Sequence, residues 1–554
     1  MKPTLVRIRL GGQELDVPYG VTAAELFAQY VPPSEQPPLA AIVHQRCVDL
    51  SFRVTAPTEV IPVDYTRRQG VLAYRRTASL LLLEAMRRLF GEVRVTIGQA
   101  LGNGYSYHPR LAGGVTPQQV EEIERVMREL VSEDLPLVTE RVSVAEARDL
   151  FTAAGSESKL RLLRTHWESH IELVRLGETW DIHHYPVAPR TGFIRTFALV
   201  HEPPGFVLRF PPRGKPQPVS PYVDLPKLMQ VYQETRRWLG IVGLESVGQL
   251  NELTQRGEAA EVIRIDEGLH EKKIAQVADE ICRSTGIRLV LIAGPSASGK
   301  TTFSKRLSLQ LRVNGVRPVA LSTDNFYVNR DETPRDEHGR YDFESIEAID
   351  LALFNEVLAG LLRGEEVLTP RFEFTTGQRR PRDKWRPMRL EAGQVLVVEG
   401  IHGLNPRLTE AVPEGQKFRI HINALTQLCL DDHYRTYTSD TRLLRRIVRD
   451  RLFRGYSAAT TIETWPRVRR GELRNIYPFQ EQADMMFNSS LVYEMAVLRL
   501  YAERFLLEVP QDHPSFANAH RLLRYVSHFV PMFDESIPDT SLLREFIGGS
   551  QFEY

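Results

Sequence analysis

Gly294-Pro295-Ser296-Ala297-Ser298-Gly299-Lys300-Thr301 is the stretch whose reading decides the fold. A glycine, four residues and then Gly-Lys-Thr is the spacing of a phosphate-binding loop. Upstream, Ile287-Arg288-Leu289-Val290-Leu291-Ile292-Ala293 reads as a buried strand; downstream, Thr302 to Asn314 reads as a helix closed by Gly315. Strand, loop and helix in that order predict a nucleoside triphosphate site. Gly294 and Gly299 let the backbone curl, so that the N–H groups of Ser296, Ala297, Ser298, Gly299, Lys300, Thr301 and Thr302 can cradle phosphates at a helix N-terminus. Lys300 meets the phosphates as a point charge, and the Thr301 hydroxyl is placed to hold Mg²⁺.

The remaining chain is long enough for three or four domains at 554 residues, and its 42% apolar and 25% charged content is that of a soluble globular protein. Lys plus Arg equals Asp plus Glu at 70 each, which excludes a global basic excess as a driver of nucleic-acid or membrane binding. Any RNA contact must be local. Cys47, Cys282 and Cys429 are far apart and follow no metal or redox spacing, as expected of a reducing compartment. Without a signal peptide or an apolar run of bilayer length, the expected location is the cytoplasm, with no membrane partner.

Two more strands in the second half end in carboxylates. Arg317-Pro318-Val319-Ala320-Leu321-Ser322 leads into Thr323-Asp324-Asn325-Phe326-Tyr327, and Val395-Leu396-Val397-Val398 ends in Glu399-Gly400. In an open α/β sheet such positions line the ligand crevice. Asp324 is therefore placed to take a proton from an attacking hydroxyl or to order Mg²⁺, and Glu399 to hold Mg²⁺ or its water. From Asp440 to Gly455, arginines 442, 446 and 449 share one helical face. They could close over transferring phosphates as a lid, or form a solvated or RNA-binding face.

Together these stretches, from Ile287 to Leu500, resemble uridine kinases of the phosphoribulokinase/uridine kinase family. The resemblance rests on Gly294–Thr302, Ser322-x-Asp324-x-Phe326-Tyr327, Glu399-Gly400-Ile401, Arg445-Arg446-x-x-Arg449-Asp450 with Arg454-Gly455, and Ala483-Asp484. It implies ATP and Mg²⁺, Asp324 as base on a nucleoside 5′-hydroxyl, Arg446 and Arg454 in the lid, and Glu344 in place of a ribose-contacting aspartate. Tyr327, Phe372 and Arg379 complete the implied substrate set. The family's base-reading run appears here as Pro370-Arg371-Phe372-Glu373-Phe374-Thr375-Thr376-Gly377-Gln378-Arg379. Phe372 keeps an aromatic face but lacks the family hydroxyl, and Gly377 cannot supply the family histidine's hydrogen bond, while Tyr456 replaces an arginine. Such losses relax discrimination between bases.

The first half reads differently. Leu5–Leu10 and Glu14–Val17 around Gly11-Gly12 predict a hairpin, and Thr22 caps a helix through Tyr30. This order resembles the TGS domain, a ubiquitin-like module. From Val48 to Leu199, Ile97–Tyr107, the helix Pro117–Val131 and Val142–Arg148 resemble the second additional domain of threonyl- and alanyl-tRNA synthetases. In that family the domain hydrolyses mischarged tRNA with a His-x-x-x-His pair and a later Cys and His. Here those positions are Arg76, Leu80, His183 and Val187, which argues against hydrolysis and against catalytic zinc. His166, His170, His183, His184 and His201 are accordingly expected to be scattered packed or solvated residues.

The expected architecture is an α/β P-loop kinase with a mostly parallel sheet, preceded by a β-grasp TGS domain and an α+β synthetase-like domain. The expected units are 1–64, 65–200, a connector at 201–284, the kinase at 285–500 and an extension at 501–554. Prolines between 203 and 221 exclude a central strand there. The expected activity is phosphoryl transfer from ATP to a small hydroxylated substrate, a nucleoside foremost; the alternative is an ATP-driven switch that binds RNA or tRNA through the N-terminal half. The kinase resemblance leaves room for a homo-oligomer.

Overall fold

Leu289, Val290, Leu291, Ile292 and Ala293 are all buried, and they form the middle strand of a five-stranded sheet. A strand apolar on both faces needs cover on both sides, which a parallel α/β sheet provides. In this computed structural model the sheet order is Arg317–Ser322, Gln394–Glu399, Leu289–Ala293, Lys417–Asn423 and Met485–Asn488, with every pair parallel. Described are residues 4–214, 218–373 and 376–553; Lys215, Pro216 and Gln217 of the proline-rich run, and Phe374 and Thr375 of the substrate run, lie outside them. The strand order reverses beside Leu289–Ala293, so a crevice opens at the C-terminal end of that strand, where the phosphate loop sits.

The N-terminal unit has the hairpin Leu5–Leu10 and Gln13–Pro18, with Leu5–Leu10 also pairing in parallel with Thr58–Val63. Helix Ala23–Tyr30 lies against this sheet, and Thr22 and Glu25 close its first turn as a reciprocal capping box. The β-grasp expectation is met. In the next unit, helix Arg68–Phe90 is buried on nearly all sides from Ala78 to Met86, so it forms the spine of that unit rather than its surface.

Two boundaries differ from expectation. Gly205–Arg209 is an interior strand, between Ala198–Glu202 and Gly104–Pro109, so the second unit continues past residue 200. Its prolines bracket the strand instead of interrupting it. At the other end, helix Glu494–Leu507 crosses residue 500, and helix Phe516–Val526 packs on it. One apolar cluster runs from Phe151 and Leu173 of the second unit through Ile274 and Ile281 to Ile292, Ile447, Leu522 and Phe546. The second unit, the connector, the kinase unit and the extension thus share a core, while the first unit has one of its own.

Polar contacts reinforce that junction. The short hairpin of Cys429–Asp431 and Tyr434–Arg435, which follows the fourth sheet strand, enters the synthetase-like unit. His433 Nδ1 lies 3.1 Å from Asp181 Oδ2, His184 Nε2 lies 2.8 Å from Asp431 Oδ2, and the Ile97 N–H donates to the Asp432 carbonyl at 2.8 Å. Arg76, which stands where the synthetase family has its first histidine, pairs with Asp181 at 3.1 Å and lies over the Tyr434 ring. Leu80 is core, and the Val187 N–H donates to Asp49. His183 lies between Asp49 and Glu172; burial alone would lower its pKa, but the two carboxylates raise it to about 9. His166 contacts the His170 carbonyl and His201 the Val115 carbonyl, so these histidines face separate partners.

Candidate active site

A Cβ on Gly294 would stand 2.1 Å from the Ile422 carbonyl oxygen, so only glycine lets the loop leave its strand this close to the next one. Ala297 and Gly299 adopt left-handed backbone, with φ of +57° and +85°. These turns bring the loop round to the start of helix Lys300–Val313, although the Ser298 N–H, expected to face phosphate, donates to the Pro295 carbonyl at 3.2 Å. The loop is also held from behind. Glu472 accepts from the Ser296 N–H at 3.2 Å, Arg442 donates to the Ser296 carbonyl at 3.0 Å, and Arg446 donates to the Ser296 hydroxyl at 3.0 Å.

A cavity of about 240 Å³ lies in front of the loop. Its walls include Ser296–Thr301, Asp324, Tyr327, Glu344, Glu399, Arg449 and Arg454. Asp324 reaches it because Ser322 caps the tight turn Thr323–Phe326 and Gly400 lets that turn touch the neighbouring strand; a Cβ on Gly400 would meet Thr323 Oγ1 at 1.8 Å. The outer side of Asp324 is open, yet the cleft walls that crowd it raise its pKa, partly opposed by Lys300 and Arg454. Burial raises the Glu399 carboxyl to about 7 against the pull of Lys300, with Asp324 and Glu545 adding to the rise. Glu344 is likewise raised to about 7 by burial and then by Glu472, while Arg446 and Lys300 oppose.

The Thr301 hydroxyl lies 3.3 Å from Glu399 Oε1 and 3.4 Å from Oε2. One hydroxyl and one carboxylate beside a phosphate cradle form the hard oxygen set that suits Mg²⁺, which keeps most of its waters and takes phosphate oxygens as further ligands. Among the described residues there is no group of three His, Cys, Asp or Glu side chains that could hold a metal without such help.

Not every expected residue faces the cavity. Arg442 is fully buried and donates to Glu472 Oε2 at 2.8 Å, so it braces the loop and is no part of a lid. Helical spacing puts it on the face of Arg446 and Arg449, but helix Ala458–Asn475 covers its end of that face. Arg379 turns away to Asp350 at 3.0 Å and to the Tyr327 carbonyl at 3.1 Å, which makes it an anchor for the Tyr327 segment. Phe372 packs on the Tyr327 ring with centroids 5.7 Å apart. Gly377 has φ of +71°, and a Cβ there would stand 2.6 Å from Arg330 Nε, so Arg330 fills the space beside the missing histidine.

Sequence reasoning missed two carboxylates. Glu472 is buried behind the loop, and its helix also holds Glu344: Asn475 donates to the Glu344 carbonyl at 2.6 Å, and Gly471 lets Glu344 pack against the helix. Glu545, from the C-terminal extension, accepts from the Thr302 hydroxyl at 2.7 Å and from its N–H at 3.3 Å. Neither lies in a motif, since each acts through partners distant in sequence.

A parallel sheet with a phosphate loop at its reversal point, facing two strand-end carboxylates, defines a P-loop kinase fold in the C-terminal half. Residues 289–495 match the Phosphoribulokinase / Uridine kinase family model, and this part of the chain is a domain of that family. The N-terminal half is similar to threonine–tRNA ligases. The enzyme of Symbiobacterium thermophilum is 32% identical over 190 residues, which are 34% of this chain and 29% of that one. Threonine–tRNA ligase 2 of Bacillus subtilis is 30% identical over 189 residues, covering 34% and 30%. The chain thus spans about three-tenths of the length of these relatives. A solved structure described as a possible uridine kinase from Bacillus stearothermophilus aligns over 39% of this chain and 99% of its own, at 16% identity and a TM-score of 0.27.

Proposed function

We propose that the C-terminal half transfers the terminal phosphoryl group of ATP to the hydroxyl of a small molecule, a nucleoside 5′-hydroxyl being the acceptor that the uridine-kinase resemblance favours. The observation that carries this reading is the meeting of Lys300, Asp324, Glu344, Glu399 and Arg454 around one cavity at the phosphate loop. Lys300 and the loop amides bind the phosphates, and Asp324 accepts the proton of the attacking hydroxyl. The acceptor oxygen bonds to the γ-phosphorus as the bond to the β,γ-bridging oxygen breaks, and ADP leaves. Arg454, on the cavity wall, neutralises the charge that spreads over the transferring group, while Arg446, expected beside it, is bonded to Ser296 and Asp450 behind the loop. Thr301 and Glu399 would hold Mg²⁺, whose chemistry is to screen the phosphate oxygens. Glu344 and Tyr327 form the acceptor wall; with Phe372 packed on Tyr327 and Arg330 against Gly377, that wall supports transfer to a hydroxyl more strongly than it supports uridine.

A second reading is an RNA- or tRNA-binding switch driven by ATP. It is favoured by the similarity of the N-terminal half to threonine–tRNA ligases and by the kinase hairpin seated in that half. The deciding experiment gives the full chain ATP and Mg²⁺ with a panel of nucleosides, sugars and tRNA, and reads the products by mass spectrometry. A phosphorylated small molecule supports the kinase reading. ADP and phosphate alone, stimulated by tRNA, would replace it with the switch.

A further inference from the structure

The end of the chain returns to the phosphate loop. Leu542, Leu543 and Phe546 are buried in the core shared with the loop, and the Leu542 side chain covers Gly299 so closely that a Cβ on that glycine would stand 2.2 Å away. The Ser541 hydroxyl donates to Glu267, and Arg544 pairs with Asp534 at 2.8 Å. These contacts fix the backbone of the segment. The Glu545 side chain, partly exposed on the cavity wall, is the piece that rotation about its own bonds can move.

Its carboxylate lies on the two donors of Thr302, at 2.7 Å from the hydroxyl and 3.3 Å from the amide nitrogen. Thr302 directly follows the Gly-Lys-Thr end of the loop and lies in the first turn of helix Lys300–Val313, where backbone N–H groups have no helical acceptor. In a phosphate loop such donors serve the α- and β-phosphates. Carboxylate and phosphate oxygens are alike as anionic acceptors for them, and the two anions repel each other at this range.

We propose that Glu545 is an affinity-setting residue of the donor site: its carboxylate competes with the nucleotide phosphates for the Thr302 donors and must swing aside when ATP binds. The inference rests on the phosphoryl-transfer reading, and it gives the C-terminal extension a part in that site. A site occupied by its own carboxylate about nine-tenths of the time shows an apparent affinity about tenfold below its intrinsic one.

The test is equilibrium binding of ATP with Mg²⁺ to the full-length parent, Glu545→Ala and Glu545→Gln, with thermal melts of each. The expected result is binding tightened about tenfold in Glu545→Ala, with an intermediate gain in Glu545→Gln, which keeps the shape but loses the charge. Binding by the parent with unchanged affinity in both variants, each melting like the parent, would overturn the inference and leave the kinase reading standing. Weaker binding in both would also overturn it, and would mark the carboxylate as a holder of Mg²⁺. No ATP binding by parent or variants would overturn the kinase reading and this inference together.

Discussion

Arg442 and Glu472 form a buried ion pair behind the phosphate loop, and each also holds Ser296, one by its carbonyl and the other by its N–H. Desolvation opposes the charge on Glu472, but Arg442 and Arg469 outweigh it and keep the carboxyl below its usual pKa. Removing one member leaves the other charged and buried, which costs about 3–5 kcal/mol. Glu472→Ala is therefore expected to lower the melting temperature clearly and to weaken ATP binding, because Ser296 loses its support. Thermal melts and nucleotide titration of the variant check both effects.

Lys300→Ala tests the loop itself. A charge partner for the transferring phosphate supplies several kcal/mol of transition-state stabilisation, so turnover is expected to fall by about 10³-fold or more. Steady-state ADP release, measured with the acceptor found in the product screen, reads the effect. Turnover within about twofold of the parent would move the active site elsewhere.

Asp324→Asn separates proton removal from nucleotide binding. Loss of a general base costs on the order of 10²-fold in rate, while ATP affinity is expected to stay broadly intact. Barely altered transfer would reduce Asp324 to a solvated residue at a strand end. A matching fall in Mg²⁺-dependent ATP affinity would instead assign it to the metal.

The raised pKa of Glu344 predicts a pH effect on the ligand-free protein. Its carboxyl titrates near 7 when folded and near the ordinary 4.5 when unfolded, so the folded state binds the extra proton between these values. The stabilisation from Glu344 is present below the unfolded pKa and is lost as pH rises through about 7. Glu344→Gln, neutral throughout, is expected to raise the melting temperature relative to the parent more at pH 8 than at pH 5. Equal gains at both values would disprove the shift.

Asp181 anchors the hairpin of the kinase half. Burial works against its charge, but Lys159, Arg76 and His433 together hold its pKa well below the ordinary value. Asp181→Ala leaves the buried Arg76 and Lys159 without this partner, at a cost of about 3–5 kcal/mol. The expected signature is a lower melting temperature with faster amide hydrogen exchange at residues 429–435. Loss of exchange protection confined to the synthetase-like unit would mean that the hairpin is held by packing alone.

What was legible in the sequence was local. The strand, glycine loop and helix around Lys300, the Asp324 turn and the Glu399 strand end are each written in consecutive residues. Arg442 shows the limit of periodicity: spacing gives the face of a helix, and the depth of that face depends on what covers it. Gly205–Arg209 shows the limit of proline counting, since prolines just outside a strand cost its ladder nothing. Glu472 and Glu545 were illegible because their partners, Ser296 and Thr302, lie 176 and 243 positions away. Only the folded chain brings them together.

The hairpin at residues 429–435 sits among Arg76, Asp181 and His184 of the synthetase-like unit, with Arg76 lying over the Tyr434 ring. A boundary between two units of different fold is usually a seam at which they can part. In this molecule a split between the halves would strip Asp181 of His433 and Asp431 of His184 and open an apolar core to water. A change in one half is therefore constrained by the fit of the other.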